Sequence, residues 1–148
     1  MEIRPITVGE ASTIRLPVLR AGMPPDSAVF DNDDDPGTRH LGAFDGERLV
    51  GVATFFAEAC PRRPGVRAWR LRGMATLDGM RGRGAGSALV AEGVRIARED
   101  RATVMWCNAR VAALSFYERL GFAIEGSEFD LPASGRHFMM SKDLAEPS

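Results

Sequence analysis

The chain has 148 residues, of which 45% are hydrophobic and 26% are charged, a composition typical of one compact soluble domain. Nineteen basic and twenty acidic residues give a formal net charge of −1, which argues against nucleic acid or an anionic membrane as a partner. Because the sequence shows neither a secretory signal pattern nor a membrane-length apolar run, we expect a single domain over residues 1–148 in the cytoplasm.

The first elements in chain order are a strand, a helix and a loop. Glu2–Thr7 is predicted as a short strand, and Glu10–Arg20 as a helix interrupted near Pro17, because proline cannot donate a backbone hydrogen bond. Gly22–Gly37 contains three prolines and five aspartates, a composition that predicts a loop.

Three antiparallel strands are predicted next. His40–Phe44 and Arg48–Ala57 are apolar runs joined by Asp45, Gly46 and Glu47, and Asp-Gly between such runs is a strong hairpin signal. Prolines and a glycine then break the chain, after which Val66–Leu77 alternates loosely and predicts a third strand.

The pattern then takes on a helical period. Gly84–Asp100 is predicted as a helix, and Ala102–Cys107 as a strand covered on both faces, so a parallel pair with a right-handed crossover follows. Ala109–Leu120 is predicted as a helix closed by Gly121. The last two predicted strands are Phe122–Glu125 and Arg136–Lys142. The expected fold class is α+β, with a mixed, mostly antiparallel sheet flanked by helices.

A glycine-rich segment lies between a predicted strand and a predicted helix, with glycines at 82, 84 and 86. Glycine lets the backbone turn tightly, and the first amides of a helix are unpaired donors at the positive end of its dipole. This combination predicts a phosphate-binding site. The segment has neither the Gly-Lys-Ser/Thr ending of a nucleoside triphosphate loop nor the third glycine of the dinucleotide fingerprint.

Here the sequence closely resembles the GNAT superfamily of N-acetyltransferases, whose hallmark is Gln/Arg-x-x-Gly-x-Gly/Ala between a strand and a helix. Arg81, Gly84 and Gly86 fill those positions. The resemblance implies that the loop amides hold the pyrophosphate of coenzyme A, and that the backbone of Met74 and Thr76 pairs with the pantetheine arm. The cofactor-binding residues implied in this way are Met74, Ala75, Thr76, Arg81, Gly82, Arg83, Gly84, Ala85, Gly86, Ser87, Asn108 and Tyr117.

A second block resembles the closing segment of the same superfamily. It starts at Asn108 and continues into a helix whose Tyr117 precedes Gly121 and Phe122. A tyrosine there often points at the cofactor sulfur as general acid, although the spacing from Asn108 is longer than in many members. A phenol with a pKa of about 10 stays protonated at neutral pH and can protonate a leaving thiolate. The alternative is a half-buried helix aromatic whose hydroxyl bonds the backbone.

The general base is less clear from the sequence. Many members of the superfamily carry a glutamate on the strand before the phosphate loop, but Trp69–Leu77 contains no carboxylate. The candidates are therefore Glu58, Glu128 and His137, or no dedicated base at all. Glu128 equally fits a loop charge that pairs with Arg136, and His137 equally fits a hydrogen-bonded strand histidine.

The acidic stretch from Asp31 to Gly37 has a superficial likeness to a calcium loop. Pro36 occupies the place where that motif requires glycine, and no glutamate closes it, so a solvated acidic loop is expected and no metal is predicted. A second interpretation is that Asp33, Asp34 and Asp35 form part of an acceptor entrance that favours cationic amines.

The expected activity is direct transfer of an acetyl group from acetyl-CoA to a primary amine of a small molecule or peptide, without a covalent intermediate. Cys60 and Cys107 show no metal-ligand spacing and are expected to be free thiols. Two alternatives are a non-catalytic module that binds or senses acyl-CoA and a protein-modifying acyltransferase. Exposed sheet edges at the C-terminal strands make a homodimer plausible.

Overall fold

The computed structural model of the protein describes residues 1–132 and 134–144. The strands are β1 Glu2–Pro5, β2 Arg39–Asp45, β3 Arg48–Ala57, β4 Ala68–Thr76, β5 Val104–Arg110, β6 Ala123–Leu131 and β7 Gly135–Asp143. The α-helices are α1 Val8–Leu19, α2 Ala85–Glu99 and α3 Leu114–Arg119, and two 3₁₀ helices span Pro25–Ala28 and Val111–Ala113.

Within the described residues, these strands form a seven-stranded sheet in the order β1-β2-β3-β4-β5-β7-β6. Strands β1 to β3 are antiparallel, β4 and β5 are parallel, and β5, β7 and β6 are antiparallel. The predicted α+β class with a mixed, mostly antiparallel sheet is therefore confirmed. The chain divides into two units: Met1–Phe56 with Leu71–Gly93, and Ala57–Arg70 with the chain from Val94 onward.

In the first unit, helix α1 begins with a capping box. The Thr7 hydroxyl accepts a bond from the Glu10 amide at 3.1 Å, and the Glu10 carboxylate accepts one from the Thr7 amide at 2.9 Å. Contrary to the predicted interruption, Pro17 lies inside the helix. Proline lacks the N–H that would bond the Thr13 carbonyl, but the helix continues to Leu19 and Arg20 still donates to the Leu16 carbonyl at 3.1 Å.

Helix α2 packs closely on β3 in the first unit, and its glycines permit this contact. A Cβ atom at Gly93 would lie only 2.2 Å from Cε2 of Phe55, whose side chain is fully buried. A Cβ atom at Gly51 would lie 3.5 Å from both Ala85 and Leu89 of α2. The helical period predicted this element to within one residue at each end.

A buried polar cluster joins α1 to the loop before β2, also in the first unit. Arg15 is fully buried and donates to both carboxylate oxygens of Asp33, at 2.7 and 3.1 Å, and to the Thr54 hydroxyl at 2.7 Å. His40 bonds the Asp33 carbonyl through Nε2 at 3.0 Å and the Thr54 hydroxyl through Nδ1 at 2.8 Å. The prediction of a solvated acidic loop is therefore wrong for Asp33, since its charge serves to pair the Arg15 guanidinium.

In the second unit, β5 is buried and β7 lies beside it. The parallel register joins Ala68–Arg70 to Val104–Trp106, and β5 pairs with β7 from Val104↔Asp143 to Arg110↔His137. The segment between β3 and β4 contributes Cys60 to a small core with Ala68, Val104 and Trp106.

Several predicted boundaries in the second unit are wrong. Ala109 belongs to β5 and not to a helix, and a 3₁₀ turn at Val111–Ala113 precedes a short α3. The reason is that Ala109 pairs with Phe138 of β7, a long-range bond that local periodicity does not reveal. Likewise, β6 continues to Leu131, six residues beyond its predicted end at Glu125.

Candidate active site

The glycine-rich segment forms the loop between β4 and α2 in the first unit. Gly79, Gly82 and Gly84 have φ angles of +85°, +79° and +89°, a left-handed backbone that favours glycine. Apart from the adjacent residues of the loop, no atom of the described residues lies within 4 Å of a Cβ built at any of these glycines, so the space beside the loop is open. The loop backbone can therefore approach a ligand closely.

Helix α2 starts directly after this loop. The Ala88 amide donates to the Gly84 carbonyl at 3.0 Å, which makes Gly84 the first residue to accept an intrahelical bond. The amides of Ala85, Gly86 and Ser87 consequently belong to the first turn, where no intrahelical acceptor exists. They provide backbone donors at the positive end of the helix dipole.

Two arginines flank the loop glycines. Arg81 and Arg83 are exposed, and the Arg81 guanidinium lies 3.8 Å from the Asp78 carboxylate. The side chains of both members of this pair are mostly solvent-exposed, so the ion pair contributes little and leaves Arg81 able to move toward an anion.

Strand β4 contains a backbone irregularity at Gly73 that was not predicted from the sequence. Gly73 has a φ of +67°, and a Cβ atom there would lie 3.0 Å from Nε of Arg15. Among the three predicted cofactor residues that follow, Ala75 is buried in a core cluster with Ile14 and Val52. The side chain of Ala75 is thus not available to a ligand, whereas the side chains of Met74 and Thr76 are partly exposed.

Tyr117 lies on α3 in the second unit and is buried. Its ring contacts Phe116 and Phe122 edge-on, at centroid distances of 5.0 and 5.5 Å. Burial, with a smaller contribution from Cys107, raises the pKa of the Tyr117 phenol far above its usual value. The phenol therefore stays protonated over the physiological range, as a proton donor must.

Both cysteines are free and buried, as predicted. Burial raises the pKa of the Cys107 thiol to about 12, so the thiolate form is strongly disfavoured at neutral pH. A nucleophilic role requires the thiolate, and the environment of Cys107 opposes its formation.

The three candidate bases all lie in the second unit but in different surroundings. Glu58 accepts a bond from Arg70 at 3.0 Å, and Glu128 accepts one from Arg136 at 2.7 Å, so the predicted alternative for Glu128 is confirmed. His137 is buried, and its Nδ1 lies 2.7 Å from the Gly135 carbonyl. Because a carbonyl only accepts, Nδ1 carries the proton, and a neutral ring has its lone pair on Nε2.

Asn108 lies on β5 opposite Met139 of β7, and both residues line a pocket of about 390 Å³ in the second unit. The lining is Arg62, Asn108, Glu125, Ser127, Glu128, Phe129 and Met139. Of these, sequence reasoning named Asn108 and Glu128. The other five were missed, because the strand pairing and bulge that gather them are not visible in local sequence.

Comparison with known proteins identifies the family of the chain. The family model described as "Acetyltransferase (GNAT) family" matches residues 12–122. The chain belongs to the GNAT acetyltransferase family. It is 35% identical over 144 residues to YitI of Bacillus subtilis strain 168, an uncharacterized N-acetyltransferase, with 97% of each chain covered.

Solved GNAT structures have the same fold. An aminoglycoside 6'-N-acetyltransferase, crystallised with coenzyme A, matches with a TM-score of 0.77 and 15% identity, over 100% of this chain and 99% of that one. FeeM, an N-acyl amino acid synthase from uncultured soil microbes, has a TM-score of 0.79 and 15% identity, over 97% and 90% of the two chains. At these identities the likeness establishes the fold alone. Among the described helices of this GNAT protein, none has both the length and the apolar character required to cross a membrane.

Proposed function

We propose that this protein transfers an acetyl group from acetyl-CoA to a primary amine. The observation that carries the proposal is the open loop with left-handed glycines at 82 and 84, which leads directly into the amides of α2. Phosphate groups suit such a site, because backbone donors and the helix dipole both favour negative charge there.

Each part of the first-unit site has a distinct role in this proposal. The amides of Ala85, Gly86 and Ser87 bind the pyrophosphate, and Arg81 and Arg83 add positive charge at the loop surface. The backbone of β4 at Met74 and Thr76 pairs with the pantetheine amides, as the resemblance implies.

The proposed reaction is a direct displacement. The neutral amine nitrogen attacks the thioester carbonyl carbon, a C–N bond forms, and the C–S bond breaks. Coenzyme A leaves as a thiolate that takes up a proton, and the amine nitrogen loses one, so the products are an amide and free coenzyme A. No covalent enzyme intermediate is needed, and the raised pKa of Cys107 argues against one.

Tyr117 is the proposed donor to the leaving thiolate. Its raised pKa keeps the proton in place but also makes the phenol a weak acid in the free protein. A developing thiolate beside the hydroxyl offsets this weakness, because the anion accepts a charge-assisted hydrogen bond before the proton moves.

His137 is the proposed base. The carboxylates of Glu58 and Glu128 are already engaged in hydrogen-bonded ion pairs with Arg70 and Arg136. The Nδ1 bond to the Gly135 carbonyl leaves the Nε2 lone pair as the acceptor of His137. A neutral imidazole with a free ring-nitrogen lone pair can accept the proton that the attacking amine must lose.

The alternative function is an acyl-CoA binding or sensing module without turnover. It draws support from the absence of a carboxylate on β4, where many members of the superfamily carry their base. Four expectations from the sequence stay predictions. They are a small-molecule or peptide acceptor, a cytoplasmic location, a homodimer, and a single domain over residues 1–148.

The test is a calorimetric titration of acetyl-CoA into the wild type, the Gly84→Glu variant and the Gly46→Glu variant. Gly46 is the matched control, since it also has a positive φ and open space but lies in the β2–β3 turn. We expect Gly84→Glu to lose binding and Gly46→Glu to retain it. A folded wild type that does not bind acetyl-CoA would sink the proposal.

Turnover is tested separately by release of free thiol from acetyl-CoA in the presence of a panel of primary amines. Amine-dependent release supports the transferase. Full acetyl-CoA affinity with no release for any amine or peptide would favour the sensing module.

A further inference from the structure

The pocket in the second unit is created by an irregularity in β6. Glu125 pairs with Met139 and Phe129 pairs with His137, so residues 126–128 of β6 lie opposite the single residue Phe138 of β7. Gly126, with a φ of +87°, lets the strand bulge away from its partner. The pocket lies over the face of the sheet that carries Asn108, Met139 and Glu125, and bulge residues 126–128 are exposed at its edge.

One wall of this space is Arg62, from the segment between β3 and β4. A Cβ atom at Gly126 would lie 2.4 Å from the Arg62 guanidinium carbon, so the side chain lies directly on the glycine backbone. This contact places one positive charge at the bulge.

The lining also contains hydrogen-bond acceptors. Asn108 Oδ1 is buried and accepts no bond from any of the described residues, and a buried acceptor left unpaired is costly. Glu125 Oε1 accepts one bond, from the Ser141 hydroxyl at 2.7 Å, and a carboxylate has further lone pairs. Both residues pair with Met139 in the sheet register, so both lie on the same face.

Two of the lining side chains, Phe129 and Met139, are apolar. Phe129 stacks on the His137 ring with centroids 6.0 Å apart, and the Met139 sulfur lies 3.9 Å from the Cys60 sulfur. These contacts fix the aromatic ring and the thioether against buried neighbours. The pocket therefore offers a compact apolar surface next to the carboxylate of Glu125 and the amide of Asn108.

We infer that this pocket binds the acyl acceptor, and that the acceptor is a monocationic primary amine with a compact apolar body. Its ammonium donates to the Glu125 carboxylate and, once the Asn108 side chain turns its buried Oδ1 toward the pocket, to that oxygen as well. Its apolar part lies against Phe129 and Met139. The inference deepens the proposed transferase function and rests on it for turnover. It also assigns Asn108 to the acceptor and not to the cofactor.

The charges of the lining residues restrict further the class of amine that the pocket can bind. The Glu128 charge is already compensated by Arg136, which leaves Glu125 and Arg62 as the opposing charges of the pocket. A second ammonium would meet Arg62 and be repelled. A monoamine is thus favoured over a diamine of similar length.

The test uses phenethylamine as the probe and putrescine as the diamine comparison, titrated by calorimetry in the absence of acetyl-CoA. Glu125→Gln removes the charge but keeps an oxygen for the Ser141 hydroxyl. The matched control is Asp130→Asn, the same kind of neutralisation on β6 at the next position after Phe129, hence on the opposite face. Asn108→Leu removes the buried acceptor without a new polar group.

We expect saturable phenethylamine binding that weakens about 10- to 100-fold in Glu125→Gln, as for loss of a hydrogen bond to a charged group. Asn108→Leu should also weaken it, Asp130→Asn should change it less than about twofold, and putrescine should bind at least about tenfold more weakly. No saturable binding to the wild type, or equal binding to folded Glu125→Gln, would overturn the inference.

The same preparations separate the two proposals. Phenethylamine binding without acetyl-CoA binding would support the pocket and refute the transferase. Acetyl-CoA binding with acetylation of putrescine, and no reaction or binding of phenethylamine, would support the transferase and refute this pocket as its acceptor site.

Discussion

The buried ion pair in the first unit yields a prediction about Asp33→Asn. The Asp33 carboxylate accepts three bonds: from the two terminal nitrogens of Arg15 at 2.7 and 3.1 Å, and from the Phe30 amide at 2.7 Å. The side chains of Arg15 and Asp33 are 0% and 2% exposed. The substitution keeps the shape of Asp33 but leaves the Arg15 guanidinium buried without its counter-charge.

Breaking one partner of a buried pair costs about 3–5 kcal/mol. For a protein of this length each kcal/mol lowers the melting temperature by about 2–4 °C, so Asp33→Asn should melt about 6–20 °C below the wild type. The assay is thermal and urea denaturation followed by circular dichroism. The control is Asp34→Asn, an exposed neighbour whose change should stay within about 0.5 kcal/mol.

A double variant tests the electrostatic reason directly. Arg15→Met with Asp33→Leu removes both charges and should be less destabilised than Asp33→Asn alone, because no uncompensated charge remains. Equal stability of Asp33→Asn and Asp34→Asn, or a double variant that is the least stable of the three, would refute the reasoning.

Two further predictions concern α2 and α3. Gly93→Ala should destabilise the protein, since crowding the buried Phe55 ring costs about 1–3 kcal/mol against a helix-propensity gain of about 0.5–1 kcal/mol; a higher urea midpoint would contradict it. Tyr117→Phe should lower kcat for acetyl transfer about 10²- to 10⁴-fold, and unchanged turnover would remove the acid role. An ordinary tyrosine ionises at about pH 10. Because burial raises the pKa of Tyr117, the wild-type kcat should show no decline from phenol ionisation in that range.

Much of the fold follows from local sequence patterns. The period of α2, the Asp-Gly turn before β3 and the unbroken apolar run of β5 each depend on neighbouring residues only. The parallel pairing of β4 and β5 then follows from the handedness of strand–helix–strand connections. The tight turns of the glycine-rich loop could be predicted equally well, because its conformation is determined by its own glycines.

The polar cluster and the pocket could not be predicted in the same way. Asp33 is one of four aspartates between residues 31 and 35, and only the tertiary position of Arg15 distinguishes it from the others. Glu125 and Arg62 are far apart in sequence and become neighbours of the same pocket through the β6 bulge. Such groupings depend on register, which composition and periodicity do not determine.

The β6 bulge provides a way for the size of the pocket to change. Three residues of β6 lie opposite one residue of β7, so the strand carries two extra residues there. Because side chains alternate faces with a period of two, an even number of extra residues returns Phe129 to the face that Glu125 occupies. Insertion or deletion of residues in pairs would therefore enlarge or shrink the pocket while every residue beyond it kept its orientation, a route by which a single scaffold can be adapted to amines of different size.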